Sequence, residues 1–168
     1  RTMTQLPVLG AVQADFHNVT LTNNGTRFTL LNSGGTFRIR MEPVAAPAPE
    51  EVRPEPLEVA LGLVTGSHHM QVFWVGNGQG NTQVGFPFTW LIPEKRWVPR
   101  NSTFIRPPDM AHRPEVWNVI CARCHATGPE PRPNGEERTL DTRAAELGIA
   151  CEACHGPGER HVKARQAA

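Results

Sequence analysis

The pattern Cys-x-x-Cys-His occurs twice in this chain and constrains what the chain can fold around more than any other feature. One copy spans residues 121–125 and the other spans residues 151–155. With 7 histidines among 168 residues, a histidine follows both cysteine pairs by chance with a probability of about 0.002. The repeated pattern therefore indicates a dedicated site at each copy.

The spacing within each copy suits the covalent attachment of haem c. Residues at i, i+3 and i+4 of a helical turn share one face, so two sulfurs can bind one porphyrin while the imidazole that follows reaches the iron. We therefore expect two covalently bound haems with their irons, each held by two cysteines and a histidine. The attachment residues are Cys121, Cys124 and His125 for the first haem and Cys151, Cys154 and His155 for the second.

Two other uses of the cysteines compete with haem attachment. The two pairs are separated by 26 residues and could bind one zinc ion as a Cys₄ site, although zinc does not need the histidine after each pair. Disulfides would have to run between the motifs, because cysteines three residues apart on one helical turn are poorly placed to bridge each other. Haem attachment explains the histidines and is the preferred interpretation.

Composition and charge narrow the range of partners. The chain has 168 residues, a hydrophobic content of 39% and a formal net charge of +1, which leaves room for one ordinary domain or two small ones. The interspersed charges indicate no nucleic-acid stripe, and no apolar run approaches the roughly 20 residues that span a bilayer. We expect no nucleic-acid partner, no transmembrane segment, and an interior whose lean apolar volume is supplemented by the porphyrins.

The N-terminal part has the pattern of a β-meander. Short runs of β-branched and apolar residues are separated by Asn-Gly and Gly-Gly turns, which predict hairpins. A proline-rich segment over residues 42–58 is expected to be a surface excursion. The predicted strands span residues 16–22, 27–31, 36–41, 59–75 and 86–92.

Helices are predicted only in the C-terminal part. Pro114 suits the first position of a helix over residues 115–125, and a second helix is predicted over about residues 139–155. The fold class is therefore α+β. Residues 1–100 are expected to form a β-rich region, and residues 101–168 a helix-and-loop region that binds both haems.

A longer stretch around both motifs carries a family likeness. It comprises residues 117–128 and residues 148–162, and the second segment contains Cys-Glu-Ala-Cys-His-Gly-Pro-Gly-Glu-Arg-His-Val. These segments resemble extracytoplasmic bacterial multihaem c-type cytochromes. Residues 65–74 and 86–99 look like the β-rich segment that precedes the first haem in such proteins, so the likeness covers about residues 15–163.

The resemblance implies an electron-transfer cytochrome on the outer side of the cytoplasmic membrane, in the periplasm or outside the cell. Its partners would be redox proteins or neighbouring haem subunits. Members of this group often carry further haem motifs or helical-repeat domains after the position of His161. We therefore expect this chain to be a subunit or a fragment of a larger multihaem chain or complex.

The second axial ligand of each iron decides between electron transfer and catalysis. His161 follows His155 by six residues and is too near to reach the far face of its own haem, so we expect it to bind the iron of the first haem. Related sequences place a single histidine at the position of His69, which implies that His69 binds the second iron. The candidates beyond the attachment histidines are His17, His68, His69, His112 and His161, with Met3, Met41, Met70 and Met110.

With two protein ligands on each iron, the chain would carry electrons and would have no catalytic residue. One alternative is a multihaem reductase in which one iron keeps an open position. Another is an assembly subunit whose haems serve mainly as structural staples. Electron transfer is the preferred function.

Overall fold

The structure is a computed structural model that describes residues 4–45, 54–104 and 115–167. Its main feature is an antiparallel sheet in which each strand from β2 to β8 pairs with the next along the chain, while β1 pairs with β5. The strands are β1 (Thr4–Gln5), β2 (Val19–Asn23), β3 (Thr26–Ser33), β4 (Thr36–Pro43), β5 (Leu57–Thr65), β6 (Met70–Gly76), β7 (Gln83–Leu91) and β8 (Arg96–Pro99).

The turns between strands follow the glycine pattern. Asn24 and Gly25 have φ angles of 47° and 74°, as a two-residue hairpin requires. The predicted strand over residues 59–75 is divided at Gly66, whose φ is 99°. The chain turns there between β5 and β6. Glycine is required at this turn because a Cβ at position 66 would lie 2.1 Å from the carbonyl oxygen of Met70. The predicted meander is confirmed, and β8 is an additional strand.

Alternate residues of successive strands form the main core. Its aromatic rings make edge-on contacts, for example between Phe16 and Phe37, with ring centroids 5.3 Å apart, and each buried Phe contributes about 1.5–3 kcal/mol. Side chains fill this core, and the expected contribution of porphyrins to the interior stays a prediction. The core residues are Ala14, Phe16, Phe28, Leu30, Phe37, Ile39, Leu61, Val64, Phe73, Phe86, Phe88 and Trp90.

The C-terminal part contains short helices and two small antiparallel pairs of strands. After a 3₁₀ turn at Arg100–Ser102, the helices are α1 (Trp117–Ile120), α2 (Ala122–His125), α3 (Glu152–His155) and α4 (Glu159–Gln166). The ladders join β9 (Ala126–Thr127) to β12 (Glu146–Leu147) and β10 (Pro133–Asn134) to β11 (Thr139–Leu140). Within the described ranges, the structure contains no helix with the length and apolarity to cross a bilayer.

The prediction of the second helix is largely wrong. The helix predicted over residues 115–125 appears as α1 and α2, but residues 139–155 are helical only in α3. Their first part pairs as β11 and β12, and Gly148 has a φ of 92°. Pairing with β9 and β10 therefore outweighs the local helix signal. The β-rich character and the position of the helices in the C-terminal part are as predicted.

A second, smaller apolar cluster joins the C-terminal part to the sheet. Leu63 of β5 and Val72 and Trp74 of β6 pack against Trp117 and Ala126, together with Ala122. The buried guanidinium of Arg100 pairs with the carboxylate of Glu115 and lies over the ring of Trp74, 4.3 Å from its centroid. These contacts place the first cysteine motif against β5 and β6.

Candidate functional site

Both cysteine motifs fold into the same helical turn. In the first, the amides of Cys124 and His125 donate to the carbonyl oxygen of Cys121, at 3.1 and 2.9 Å. The second repeats these bonds onto the carbonyl oxygen of Cys151, at 3.2 and 3.0 Å. In each turn the two cysteines and the histidine therefore share one face.

The two turns differ in their surroundings. In the first turn, Ala122 is fully buried and Cys121 packs against the cluster on β5 and β6. In the second turn, every residue from 151 to 155 is exposed. The first turn is therefore fixed to the sheet, whereas the second presents its cysteines and histidine to the outside.

The imidazole of His125 lies in a partly buried position beside the first turn. Burial lowers the pKa of His125, which favours the neutral ring that binds a metal. Its Nδ1 is buried and has no hydrogen-bond partner among the described residues. Both observations suit an imidazole that binds a metal or another group that is not part of the polypeptide.

Asn118, three residues before Cys121, anchors the first turn through a buried polar cluster. Asn118 is 0% exposed, and its Oδ1 accepts from the amide of Gln83 at 2.8 Å. Its Nδ2 donates to Thr142 Oγ1 at 2.8 Å and to both oxygens of Asn81 at 3.2 Å. Asn118 therefore joins α1 to the start of β7 and to the segment between the two motifs.

Trp117 provides a second anchor for the first turn. Its Nε1 donates to Thr4 Oγ1 at 3.2 Å, and that hydroxyl lies 3.2 Å from Thr65 Oγ1. Trp74 Nε1 donates to the same Thr65 hydroxyl at 3.0 Å. The two indoles thus share a buried threonine pair that belongs to β1 and β5.

The second turn is tied to the first through Thr127. Its hydroxyl donates to the carbonyl oxygen of Gly148 at 3.0 Å and accepts from the amide of Ala150 at 2.9 Å. The amide of Gly148 in turn donates to the carbonyl oxygen of His125 at 3.2 Å. Nothing in the local sequence pattern identified Thr127 or Asn118, because their partners lie 21 or more residues away.

The chain leaves the second turn as predicted. Gly156, with a φ of 72°, ends α3, and α4 begins at Glu159 and carries an exposed His161. His68 and His69 lie exposed in the turn between β5 and β6, not within a strand.

The remaining ligand candidates include His17, which is exposed and hydrogen-bonded to Asp15. His112, Met3 and Met110 fall outside the described residues. The role of His69 and His161 as iron ligands remains a prediction.

The described residues form neither a metal cluster nor a disulfide at the cysteines. Across residues 4–45, 54–104 and 115–167, no three His, Cys, Asp or Glu side chains converge as a metal site would require. Cys124, Cys151 and Cys154, all within the described chain, are not joined in disulfides. In the described chain, each cysteine pair is followed directly by its own histidine, His125 or His155.

The comparison with protein families agrees with this arrangement. The family model described as cytochrome c554 and c-prime matches residues 103–156. The matched range is about a third of the 168-residue chain and includes both cysteine motifs. This match supports a c-type cytochrome. A comparison with curated proteins and one with solved structures each found no match.

The residues present fit a covalently bound haem. Each turn supplies two thiols and an imidazole on one face, and the first also supplies the buried, unpartnered Nδ1 of His125. Exposed apolar side chains flank both turns and would cover a flat apolar group: Val119, Ile120, Leu147, Ile149 and Val162. The family match and the donor set together support covalently bound haem c and electron transfer.

Proposed function

We propose that this chain is a dihaem c-type cytochrome that transfers electrons. The observation that carries this proposal is the repetition of one hydrogen-bonded turn, with its cysteine pair and histidine, within the range that matches a cytochrome family. The first turn holds one haem through Cys121 and Cys124 with His125 as an iron ligand. The second holds another through Cys151 and Cys154 with His155 as an iron ligand.

His161 and His69 complete the ligand sets in this proposal. His161 lies exposed on α4, which begins after the turn at Gly156, and we assign its imidazole to the iron of the first haem. His69 lies exposed between β5 and β6 and is assigned to the second iron. Bound haem supplies a one-electron iron couple, which makes transfer the expected chemistry.

The polypeptide contributes position and shielding. Trp117 and Asn118 hold the first turn against the sheet. The exposed apolar side chains beside each turn would shield a bound porphyrin from water. With two histidines on each iron, no position remains for a substrate, so the chain acts as a carrier. The proposal therefore does not include a reductase reaction, which would need an iron with an open position.

The location and partners follow from the way c-type haem is attached. Attachment takes place on the outer side of the cytoplasmic membrane, so the protein would work in the periplasm or outside the cell. The exposed second turn suits exchange with another redox centre. The partners in this proposal are redox proteins or neighbouring haems of a larger multihaem chain or complex.

Haem counting tests the proposal directly. Protein produced with the haem-attachment machinery is analysed by denaturing mass spectrometry and by its Soret absorption, and we expect a mass increase of two haems. The double variants Cys121→Ala/Cys124→Ala and Cys151→Ala/Cys154→Ala should each retain one haem. A protein that shows no Soret band and retains stoichiometric zinc would overturn the proposal in favour of a Cys₄ site.

A further inference from the structure

Thr127 occupies a special place between the two attachment turns. It follows His125 by two residues, and its hydroxyl contacts the two residues that surround Ile149, just before Cys151. The side chain is 3% exposed. One hydroxyl group therefore connects the end of the first turn to the beginning of the second.

The hydroxyl uses both of its hydrogen-bonding roles in this connection. It donates to the carbonyl oxygen of Gly148 at 3.0 Å and accepts from the amide of Ala150 at 2.9 Å. The amide of Gly148 also bonds the carbonyl oxygen of His125, and Leu147 pairs with Ala126. The segment that leads into the second turn is thus bonded at consecutive positions to the segment that leaves the first.

The second turn depends on this connection more than the first turn does. The first turn has additional anchors in Trp117 and Asn118, whereas α3 buries none of its own residues. Removal of the Thr127 hydroxyl would leave the buried carbonyl of Gly148 and the amide of Ala150 without this partner. The second turn would then be held to the first only through the backbone pairing of Leu147 with Ala126 and the bond from the Gly148 amide, which leaves its orientation less tightly fixed.

We propose that Thr127 is a positioning residue that fixes the orientation of the second attachment turn relative to the first, and so sets the geometry between the two haems. This inference rests on the proposed dihaem function. Thr127 does not touch either cysteine pair through its hydroxyl; it acts through the backbone at positions 148 and 150. A side chain that supports the backbone next to an attachment site affects the orientation of the attached group more than the attachment itself.

Soret circular dichroism of the haem-loaded protein tests this role, because two nearby haems give a paired positive and negative band whose size depends on their distance and angle. We compare the wild type with Thr127→Val, which replaces the hydroxyl by a methyl group, and with Thr127→Ser, which retains the hydroxyl. Thr89→Val is the matched control, since Thr89 is fully buried on β7 and its hydroxyl contacts that of Thr103, just after the 3₁₀ turn.

We expect every variant to keep two covalent haems. The paired band should be lost or reversed in Thr127→Val and retained in Thr127→Ser and Thr89→Val, even where Thr89→Val lowers Tm as much as Thr127→Val does. If Thr127→Val does not accumulate as folded protein, Thr127→Ala provides the same comparison with a smaller side chain.

A wild-type protein with fewer than two haems would overturn the proposed function, and this inference with it. A dihaem wild type that lacks the paired band, or a Thr127→Val spectrum identical to that of the wild type, would overturn the positioning role alone. An equal spectral change in Thr89→Val would also overturn it, because the change would then reflect stability and not the link between the turns.

Discussion

The indole of Trp117 donates a hydrogen bond to the hydroxyl of Thr4, although the two residues are 113 positions apart in the chain. Thr4 belongs to β1, which pairs with β5, and Trp117 opens the helix that leads into the first cysteine motif. The first strand of the sheet therefore supports the first attachment turn directly. A substitution in β1 that removes the Thr4 hydroxyl should therefore disturb the first cysteine turn.

Trp117→Phe should destabilise the protein more than Trp90→Phe. Both variants lose part of a buried ring, but only Trp117 has an indole nitrogen with a hydrogen-bond partner, while Trp90 Nε1 has none among the described residues. The difference should be about 1 kcal/mol, measured by urea unfolding followed by far-ultraviolet circular dichroism. Equal losses of stability would show that the bond to Thr4 contributes nothing.

Asn118→Ala should lower the free energy of unfolding by roughly 2–4 kcal/mol, because it leaves several buried groups around one site without a partner. Asn134→Ala is the control, since Asn134 is exposed and its side-chain oxygen accepts from the nearby amides of Glu136 and Glu137. The control should change stability by less than about 0.5 kcal/mol. A loss in Asn118→Ala no larger than that of the control would contradict the anchoring role of Asn118.

The two haem-deficient variants should differ in stability. Loss of the first pair, in Cys121→Ala/Cys124→Ala, should lower Tm clearly, because that turn packs against β5 and β6. Loss of the second pair, in Cys151→Ala/Cys154→Ala, should leave the thermal transition of the sheet nearly unchanged, because that turn buries none of its residues. Identical Tm values for the two variants would refute this difference.

His161→Ala should leave both haems attached and convert one iron to a high-spin form that binds carbon monoxide. The reason is that an exposed imidazole on α4 is the proposed second ligand of the first iron. His17→Ala is the control, because His17 is hydrogen-bonded to Asp15 and should leave both irons low-spin. Electron paramagnetic resonance and carbon monoxide titration measure the outcome, and two inert low-spin irons in His161→Ala would exclude His161 as a ligand.

Much of the sheet could be predicted from the sequence because its signals are local. Hairpin turns at positions such as Gly25 require positive φ, and strand residues alternate in polarity, so a short window is sufficient. The strand β8, only four residues long, gave no such signal. The helix predicted over residues 139–155 was wrong because Leu147 pairs with Ala126, a partner that local propensity cannot represent.

The candidate site divides in the same way. The cysteines and the histidine of each motif could be predicted from the sequence because they lie within five residues, as in residues 121–125. The residues that position the motifs could not be predicted, because Asn118 bonds Thr142 across 24 residues and Thr127 bonds Ala150 across 23. A threonine or asparagine carries no sequence mark of a partner that only the folded chain brings near.

The unequal burial of the two turns also bears on how haem would be attached to them. Attachment machinery must reach both thiols of a motif, and the second turn remains accessible after the sheet has formed, since residues 151–155 are all exposed. The first turn is partly covered once Trp117 and Ala122 have packed against β6. If haem is attached at both turns, the second would stay accessible on the finished fold, whereas the partly buried Cys121 of the first would be easier to reach before this packing is complete.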